Sequence, residues 1–422
     1  MMDKKEKIRI GFVGCGQFCR HFVPLFQAHP AVEFVGVTDV FPERCKEYDD
    51  LFHVDKIYDS FEQMLESDEL NTIAIFSQRN QHGQMAIASL KAGKNVYSAV
   101  PMASSVDEIR QIVKLVEETG LTYSMGETGH YRPATIFCRQ KLASGEMGDF
   151  IYAEAQYNHD MKHLYDTFKY TEGENWKKMA GLPPMHYPTH STAMVLGAAK
   201  THATKVAAFG YRDKIDPDIF GDGMNHWNNP FSNTSMLLQL ANGGVARVSE
   251  NRRIAWCDPP TYLSCFCGTE ASYESSIAQH SYIRMPEKVA MYEDVSELLN
   301  PSEMTEHRND PDFFNKMVNG EWCKGEAPIQ SKDRLPKEFE NMPTAHSGTH
   351  QFMVDDFCRA YMSGKLSPTN AWQAARYNIP GLMAHQSAML GGVTLDIPDL
   401  GDPPAGLEVL PSEYPVEEKE SI

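Results

Sequence analysis

The sequence predicts an α/β protein in two parts, a doubly wound parallel sheet followed by an α+β domain built on a large open, mostly antiparallel sheet. Three observations carry this. From Ile8 to about Thr128, short β-branched or apolar runs alternate with helical stretches. Beyond Tyr131 the runs lengthen into strands joined through turn-like segments. A glycine pair stands between the first strand and the first helix, where a dinucleotide-binding unit of the Rossmann type places one.

In the first half, "IRIGFVG", "VEFVGVTDV", "TIAIFS", "NVYSAV" and "LTYSMG" read as strands. Between them "CRHFVPLFQAH", "EQMLESD", "HGQMAIASLKAG" and "VDEIRQIVKLVEETG" read as helices, which gives a Rossmann domain over residues 1–129. A second domain spans 130–400 with the strands "IYAEAQYNH", "THATKVAAFGYRD", "TSMLLQLANGGVARVSENRR" and "TYLSCFCGTEASYE", the third folded on itself at "ANGG". "THSTAMVLGAA" and "HQFMVDDFCRAYMSG" are its helices, and the polar stretch 286–343 is expected as a surface excursion. Residues 401–422 read as an extended, partly mobile tail.

The formal net charge of −18 opposes binding to phosphate backbones and anionic lipid, so neither nucleic acid nor a membrane is an expected partner. No apolar run reaches the roughly 18–20 residues of a membrane helix. "MMDKKEKIRIGFVGCG" lacks the long apolar region and small-residue cleavage site of a signal peptide. Nine cysteines without a repeating frame fit a reducing cytoplasm. Cys265 and Cys267 fall on one face of a strand and are expected to be buried and structural, because a zinc site needs more ligands than this pair supplies.

In "GFVGCGQFCRHF", Gly14 allows a tight turn and Gly16 lets the backbone approach a pyrophosphate, with Gln17 and Phe18 completing the loop and Cys19 as the third small residue. Asp39, at the end of the second strand, stands where an acidic group accepts hydrogen bonds from the adenosine ribose. Its charge repels a 2′-phosphate and favours NAD over NADP, while Arg44 close behind keeps the alternative open; capping a helix is the competing role for Asp39.

Taken with "IAIFSQRNQHGQMAIASLKAGKNVYSAVP", these motifs resemble the Gfo/Idh/MocA family of sugar and polyol oxidoreductases across nearly the whole chain. The resemblance implies cofactor contacts from Ser77, His82, Pro101 and Glu127. Family members carry Glu-Lys-Pro where this chain has Ala99, Val100 and Pro101, so the lysine that polarises the substrate hydroxyl is missing. "QYNHDMKH" and "PPMHYPTHSTAM" are similar to the branch of NAD-dependent glycosidases of the α-N-acetylgalactosaminidase type, matching at Tyr157, His159, Asp160, Tyr187 and His190. "AHSGTH", with His346 and His350, matches a further stretch of a related branch.

What the resemblance implies is oxidation of a sugar hydroxyl by bound NAD, elimination of the anomeric substituent, addition of water and return of the hydride. In that scheme His190 takes the hydroxyl proton, Tyr157 takes the carbon-bound proton, and His159 and Tyr187 orient groups or assist departure. Tyr157 and His159 share a strand face, and His186 and His190 would share a helix face. His186, in the place of the family's acid, is a candidate substrate contact with His346.

"GMNHWNNPFSNTSML" offers Asn225 and His226 as sugar contacts, or as a loop whose asparagines make turns. His159, His186 and His190 with Glu127 would make zinc or manganese ligands, but Pro188 interrupts a regular helical turn and the resembled glycosidases use no metal, so none is expected. The partners implied are a small-molecule carbohydrate or glycoside and a second copy of the chain, as homodimer or homotetramer. A conventional sugar or inositol dehydrogenase, and a non-catalytic nucleotide- and sugar-binding regulator, are the rival readings.

Overall fold

The computed structural model describes residues 6–255, 262–276, 278–286, 289–301, 310–312, 325–342 and 345–413. The chain forms two compact units, Met1–Tyr131 with Gln330–Ala375 and Leu400–Ile422, and Arg132–Ile329 with Arg376–Asp399. Among the described residues no helix is long and apolar enough to cross a membrane.

The first unit is built on strands β1 (Ile8–Val13), β2 (Val32–Thr38), β3 (Lys56–Ile57), β4 (Thr72–Ile75), β5 (Asn95–Ser98) and β6 (Tyr123–Met125). They pair in parallel in the order β3-β2-β1-β4-β5-β6, the doubly wound arrangement the alternating pattern predicts. The β1, β4 and β5 strands are buried almost throughout, which is why their sequences run apolar without alternation. The crossovers carry α1 (Val23–Ala28), α2 (Pro42–Phe52), α3 (Phe61–Glu66), α4 (His82–Lys91) and α5 (Val106–Thr119). One detail departs from the sequence reading, since "CRHFVPLFQAH" is not one helix. A single tight turn over Cys19–His21 precedes α1. Pro24 has no N–H to give to a preceding turn, so the helix starts beside it.

The second departure concerns residues 330–375, assigned by sequence to the domain over 130–400. Phe352, Phe357 and Tyr361 belong to the same buried cluster as Phe12, Phe22, Phe26 and Tyr97 of the nucleotide-type sheet. Phe357 lies edge-on to Phe26 and Tyr97, with ring centroids 6.0 and 5.6 Å away. Arg334, from the stretch expected as a surface excursion, is buried and donates to Asp355 and to both carboxylate oxygens of Asp356. Tyr131 Oη donates to the same Asp356 at 2.7 Å. Part of the tail is also pinned: Leu366 pairs with Val409, Leu410 is buried, and Ser412 Oγ sits 2.9 Å from His130 Nε2. The tail beyond 413 and parts of the polar stretch, at 287–288, 302–309, 313–324 and 343, lie outside the described residues.

The second unit begins with α6 (Pro133–Ala143) and β7 (Phe150–Asn158), followed by the short α7 (Tyr165–Glu172) and α8 (Trp176–Ala180), then α9 (Thr189–Ala199). Strands β8 (Ala203–Arg212), β9 (Phe231–Leu240), β10 (Val245–Asn251), β11 (Tyr262–Gly268), β12 (Ala271–Ser275), β13 (His280–Arg284) and β14 (Met291–Asp294) come next, then α10 (Ser296–Leu299). With β15 (Leu395–Asp396) they form a nine-stranded sheet in the order β14-β13-β12-β11-β7-β10-β9-β8-β15. Every pairing is antiparallel except β7 with β10, so the expected mostly antiparallel sheet is mixed at its centre. The "ANGG" turn joins β9 to β10, and α9 covers the residues quoted for it above. Strand β14 starts inside the supposed excursion. On the face away from α6 and α9, Phe209, Tyr211 and Leu237 stay exposed.

The sequence reading passed over one long helix. After α11 (Thr349–Ser363), helix α12 runs over Ala371–Met389, leaving the first unit at Ala375 and continuing in the second. It is buried round most of its circumference and contains Pro380, so neither amphipathic spacing nor an uninterrupted helical run betrays it. Gly381 follows, and a Cβ there would stand 2.3 Å from Met185 O and 2.4 Å from Pro188. The helix therefore presses directly on the segment that carries His186, Tyr187 and His190.

Replacing Arg334 by Met leaves Asp355 and Asp356 buried against each other without their cation. Urea unfolding is expected to show a loss of about 3–5 kcal/mol.

Candidate active site

In the first unit, β1 delivers the chain into the glycine loop, where Gly14 adopts φ +99°. A Cβ on Gly14 would stand 2.6 Å from Phe76 O, so no other residue fits without moving β4. A Cβ on Gly16 would meet nothing within 4 Å, which leaves open space against the loop backbone. Gln17 is exposed and Phe18 half-buried. Asp39 is turned inward: its Oδ2 accepts from Cys15 N at 2.7 Å and its Oδ1 from Phe41 N at 2.9 Å. Arg44 approaches the same carboxylate at 3.8 Å and lies over the Phe41 ring. The acidic residue therefore fastens the glycine loop to the end of β2.

His82 Nδ1 lies 2.9 Å from Pro101 O and its Nε2 3.0 Å from Ser77 O, bridging the ends of β4 and β5. Burial lowers its basicity, and the hydrogen bonds to the Pro101 and Ser77 carbonyls oppose this in part. The peptide before Pro101 is cis, and Ala99 and Val100 are buried, so an apolar wall stands where the resembled family has its lysine. Glu127 is fully buried and its Oε1 accepts from Gly129 N at 2.6 Å. His346, expected at the substrate, belongs to the nucleotide unit: its ring lies edge-on to Phe18 at 5.8 Å and 4.8 Å from His350.

The second unit gathers the residues to which the sequence resemblance assigns proton transfer. Tyr157 Oη and His159 Nδ1 are 2.9 Å apart, as their common strand face requires. His190, in the first turn of α9, packs edge-on to Tyr157 at 5.1 Å and to Tyr187 at 5.1 Å. Burial pushes the Tyr157 phenol well above its usual range, and the positive Arg252 opposes this only in part. A phenol that keeps its proton can donate it to His159 Nδ1 or accept from that nitrogen, according to the tautomer of the ring. Asp160, the last residue of the matched motif, is engaged by Arg253 and Ile254: it accepts two hydrogen bonds from Arg253 Nη1, at 2.9 and 2.8 Å, and one from Ile254 N, locking the end of β7 to the end of β10.

Four residues of this cluster escaped the sequence reading. The register of β11 places Tyr262 directly opposite Tyr157, and that of β10 places Glu250 on its other side. Tyr262 stacks on Tyr157 at 4.8 Å and 23°, with the Arg132 guanidinium 3.3 Å from its ring centre. Those two distances require Arg132 and Tyr157 to occupy opposite faces of Tyr262. Arg252 lies 4.5 Å from the Tyr157 ring and 4.7 Å from the Tyr187 ring. It donates to Tyr187 O and to Glu250 Oε2, while Glu250 Oε1 accepts from Ser191 Oγ at 2.6 Å. The only local signal was alternation along "TYLSCFC" and the arginine pair closing "VARVSENRR".

His186 does not share a face with His190. A tight turn over Pro184–His186 ends at Tyr187, and Pro188 separates it from α9, so the expected helical spacing is broken. His186 turns toward His385, ring centroids 5.0 Å apart, and toward Trp227 at 6.4 Å. Burial lowers His186 to about 3, with His385 adding to the shift, and lowers His385 to about 4. Asn225 is a loop organiser, because Nδ2 donates to Ile219 O and Asn229 O while Oδ1 accepts from Trp227 N and Asn229 N. That occupies its amide within its own turn, which decides between the two roles weighed for it. His226 is exposed beside Trp227. Cys265 and Cys267 are half-buried rather than buried, with sulfurs 3.8 Å apart, and burial pushes Cys265 up to about 12. Among the described residues, no group of three or more His, Cys, Asp or Glu side chains is placed to hold a metal ion.

A parallel sheet of Rossmann order with a strained glycine turn defines a dinucleotide-binding oxidoreductase. Residues 8–127 match the model of the Gfo/Idh/MocA family, described as an oxidoreductase family with an NAD-binding Rossmann fold. It is 22% identical over 423 residues to a glycosyl hydrolase family 109 protein of Streptomyces niveus, covering 94% of this chain and 78% of that one. It is 26% identical over 207 residues to trans-1,2-dihydrobenzene-1,2-diol dehydrogenase of Mus musculus, covering 48% of this chain and 60% of the relative. In fold it is similar to levoglucosan dehydrogenase in complex with NADH and L-sorbose, with a TM-score of 0.71 at 14% identity over 94% of this chain and 100% of the other. A myo-inositol 2-dehydrogenase from Lactobacillus plantarum matches with a TM-score of 0.63 at 13% identity, over 93% and 100% of the two chains.

Two outcomes follow. Gly14→Ala is expected to abolish NAD binding in a fluorescence titration while the far-ultraviolet spectrum stays unchanged. The neutral His186 and His385 favour the folded state fully above pH 6.5, the ordinary histidine value, and that contribution declines as pH falls toward about 4 and 3. The thermal midpoint should therefore fall with acid over this window, and the double change of His186→Gln and His385→Gln should flatten the fall.

Proposed function

We propose that the protein is an NAD-dependent enzyme acting on a carbohydrate hydroxyl, and that it cleaves a glycoside by a redox-neutral course of oxidation, elimination, water addition and reduction. The observation that carries this reading is the proton-transfer set itself: the Tyr157–His159 hydrogen bond at 2.9 Å with His190 against the same phenol, in a chain without the lysine. The glycosyl hydrolase relatives, similar over nearly the whole chain, support glycoside cleavage.

The nucleotide unit fits the cofactor, since the Gly14 turn admits no side chain and the Gly16 backbone is open to an approaching pyrophosphate. Gly14, Gly16, Gln17, Phe18, Asp39 and Ser77 would hold it, with His82 and Pro101 shaping the wall beside them. When bound, NAD supplies reversible oxidation of the hydroxyl-bearing carbon, which acidifies the neighbouring C–H bond.

The remaining steps fall to side chains of the second unit. His190 accepts the proton of the hydroxyl being oxidised. Tyr157 is not a resting phenolate, so it takes the carbon-bound proton at Oη as its own proton passes to His159 Nδ1. His159 then holds the proton that the departing glycosidic oxygen needs, and Arg252 over the Tyr157 ring lowers the cost of charge on the phenol oxygen during transfer. Tyr187, held by the Arg252 hydrogen bond to its carbonyl, orients His190. Trp227, beside the neutral His186 and near His226, is an apolar face for a sugar ring.

The protein is read as cytoplasmic, with a second copy covering the exposed Phe209, Tyr211 and Leu237 of the nine-stranded sheet.

The chemistry is tested with α- and β-aryl glycosides in deuterated water. Deuterium at carbon 2 of the released sugar is expected, with none retained in Tyr157→Phe and no cofactor reduction in His190→Ala, each at least about 100-fold down. NADH accumulation without cleavage would overturn glycoside cleavage in favour of simple dehydrogenation.

A further inference from the structure

The charges of the second unit's aromatic cluster do not balance. Arg252 is answered by Glu250, which it meets at 3.2 Å. Arg253 is answered by Asp160 at 2.8 Å and Asp216 at 2.7 Å. Arg132 is 7% exposed, and among the described residues its guanidinium makes no hydrogen bond and no ion pair. Its Nε is buried without an acceptor. What it does have is the face of Tyr262, 3.3 Å from the ring centre.

Stacking on an aromatic ring offsets part of the desolvation of a guanidinium, but it gives the in-plane N–H groups nothing to donate to. A largely buried cation whose Nε has no acceptor is costly to fold, and a bound ligand of opposite charge would offset that cost. The position is specific. Tyr262 separates Arg132 from Tyr157 by one ring thickness, and His190 lies edge-on to the same Tyr262 at 5.8 Å. The planar fork of arginine matches the two oxygens of a carboxylate. Bulk attraction plays no part, because a chain of net charge −18 repels anions at long range.

We propose that Arg132 anchors a carboxylate on the substrate ring, so that the sugar taken by this site is a hexuronic acid rather than a neutral hexose. The assignment rests on the cluster of Tyr157, His159 and His190 being the carbohydrate site proposed above. It adds what that reading left open, the chemical class of the sugar.

The test is a calorimetric titration of the full-length, NAD-loaded protein with methyl hexuronosides, with the corresponding neutral methyl hexosides, and with 6-sulfated hexosides. The hexuronosides are expected to bind about tenfold or more tightly than the neutral sugars. Arg132→Met should level the two classes while leaving the neutral sugars within about twofold of the unaltered protein, and Arg132→Lys should keep part of the preference. Equal binding of acidic and neutral sugars by the unaltered protein, no binding of any hexuronoside, or a preference for the sulfate ester would each overturn the proposal; these comparisons need no substitution and do not depend on a variant folding. Turnover of Tyr157→Phe separates the two readings. Full turnover in that variant with the acidic preference intact removes the catalytic assignment and leaves the anchor; lost turnover with no acidic preference does the reverse.

Discussion

Tyr157 is held in place by sheet register. On β7 it faces Tyr262 across one strand junction and Glu250 across the other, so a ring, a phenol and a carboxylate stand in one row. A one-residue slip of either neighbour would turn its side chain to the opposite face of the sheet and empty that row. The rest of the cluster is referred to this row. His159 follows Tyr157 by two positions, Arg252 follows Glu250 by two, and α9 brings His190 against the rings while Ser191 fastens its first turn to Glu250. The lock of Asp160 onto Arg253 closes the ends of the parallel pair and keeps the register from fraying beside the aromatic cluster.

The electrostatics divide along the same lines. The nucleotide unit presents an apolar wall at Ala99 and Val100 and uses its buried polar side chains, Asp39, His82 and Glu127, on its own backbone. The second unit holds the cations, the phenols and the histidines that can exchange protons. A lysine would supply a fixed charge beside a reacting oxygen; the second unit instead carries guanidinium groups against ring faces, an attraction weaker per contact but distributed over a longer column. In the proposed reaction protons would move between hydrogen-bonded partners rather than through a free anion, because burial disfavours the phenolate.

Local periodicity made the parallel strands, the "ANGG" hairpin and the α9 helix legible, since each is written within ten or so consecutive residues. The glycine turn was legible for the same reason. Tyr262, Glu250, Arg252 and Arg132 were not, because they reach Tyr157 only through strand pairing and helix placement that no local pattern encodes. The attachment of Phe352 and Phe357 to the first unit's core, and the buried ion pairs of Arg334, belong to the same class of long-range information. Helix α12 hid for a different reason: a helix buried on most sides loses the polar stripe that would announce it. The split between His186 and His190 was visible in Pro188, yet the four-residue spacing outweighed it in the sequence reading.

Asp39 is commonly the position at which a Rossmann unit chooses its nucleotide. In this chain both of its oxygens also tie down backbone, Cys15 N within the glycine loop and Phe41 N beyond β2. The recognition role that the sequence assigns to Asp39 and the architecture of the loop would thereby rest on one carboxylate. An attempt to redirect the protein toward a phosphorylated nucleotide by neutralising that residue would loosen the pyrophosphate cradle at the same time, so cofactor choice here is guarded against drift by the folding of the loop itself.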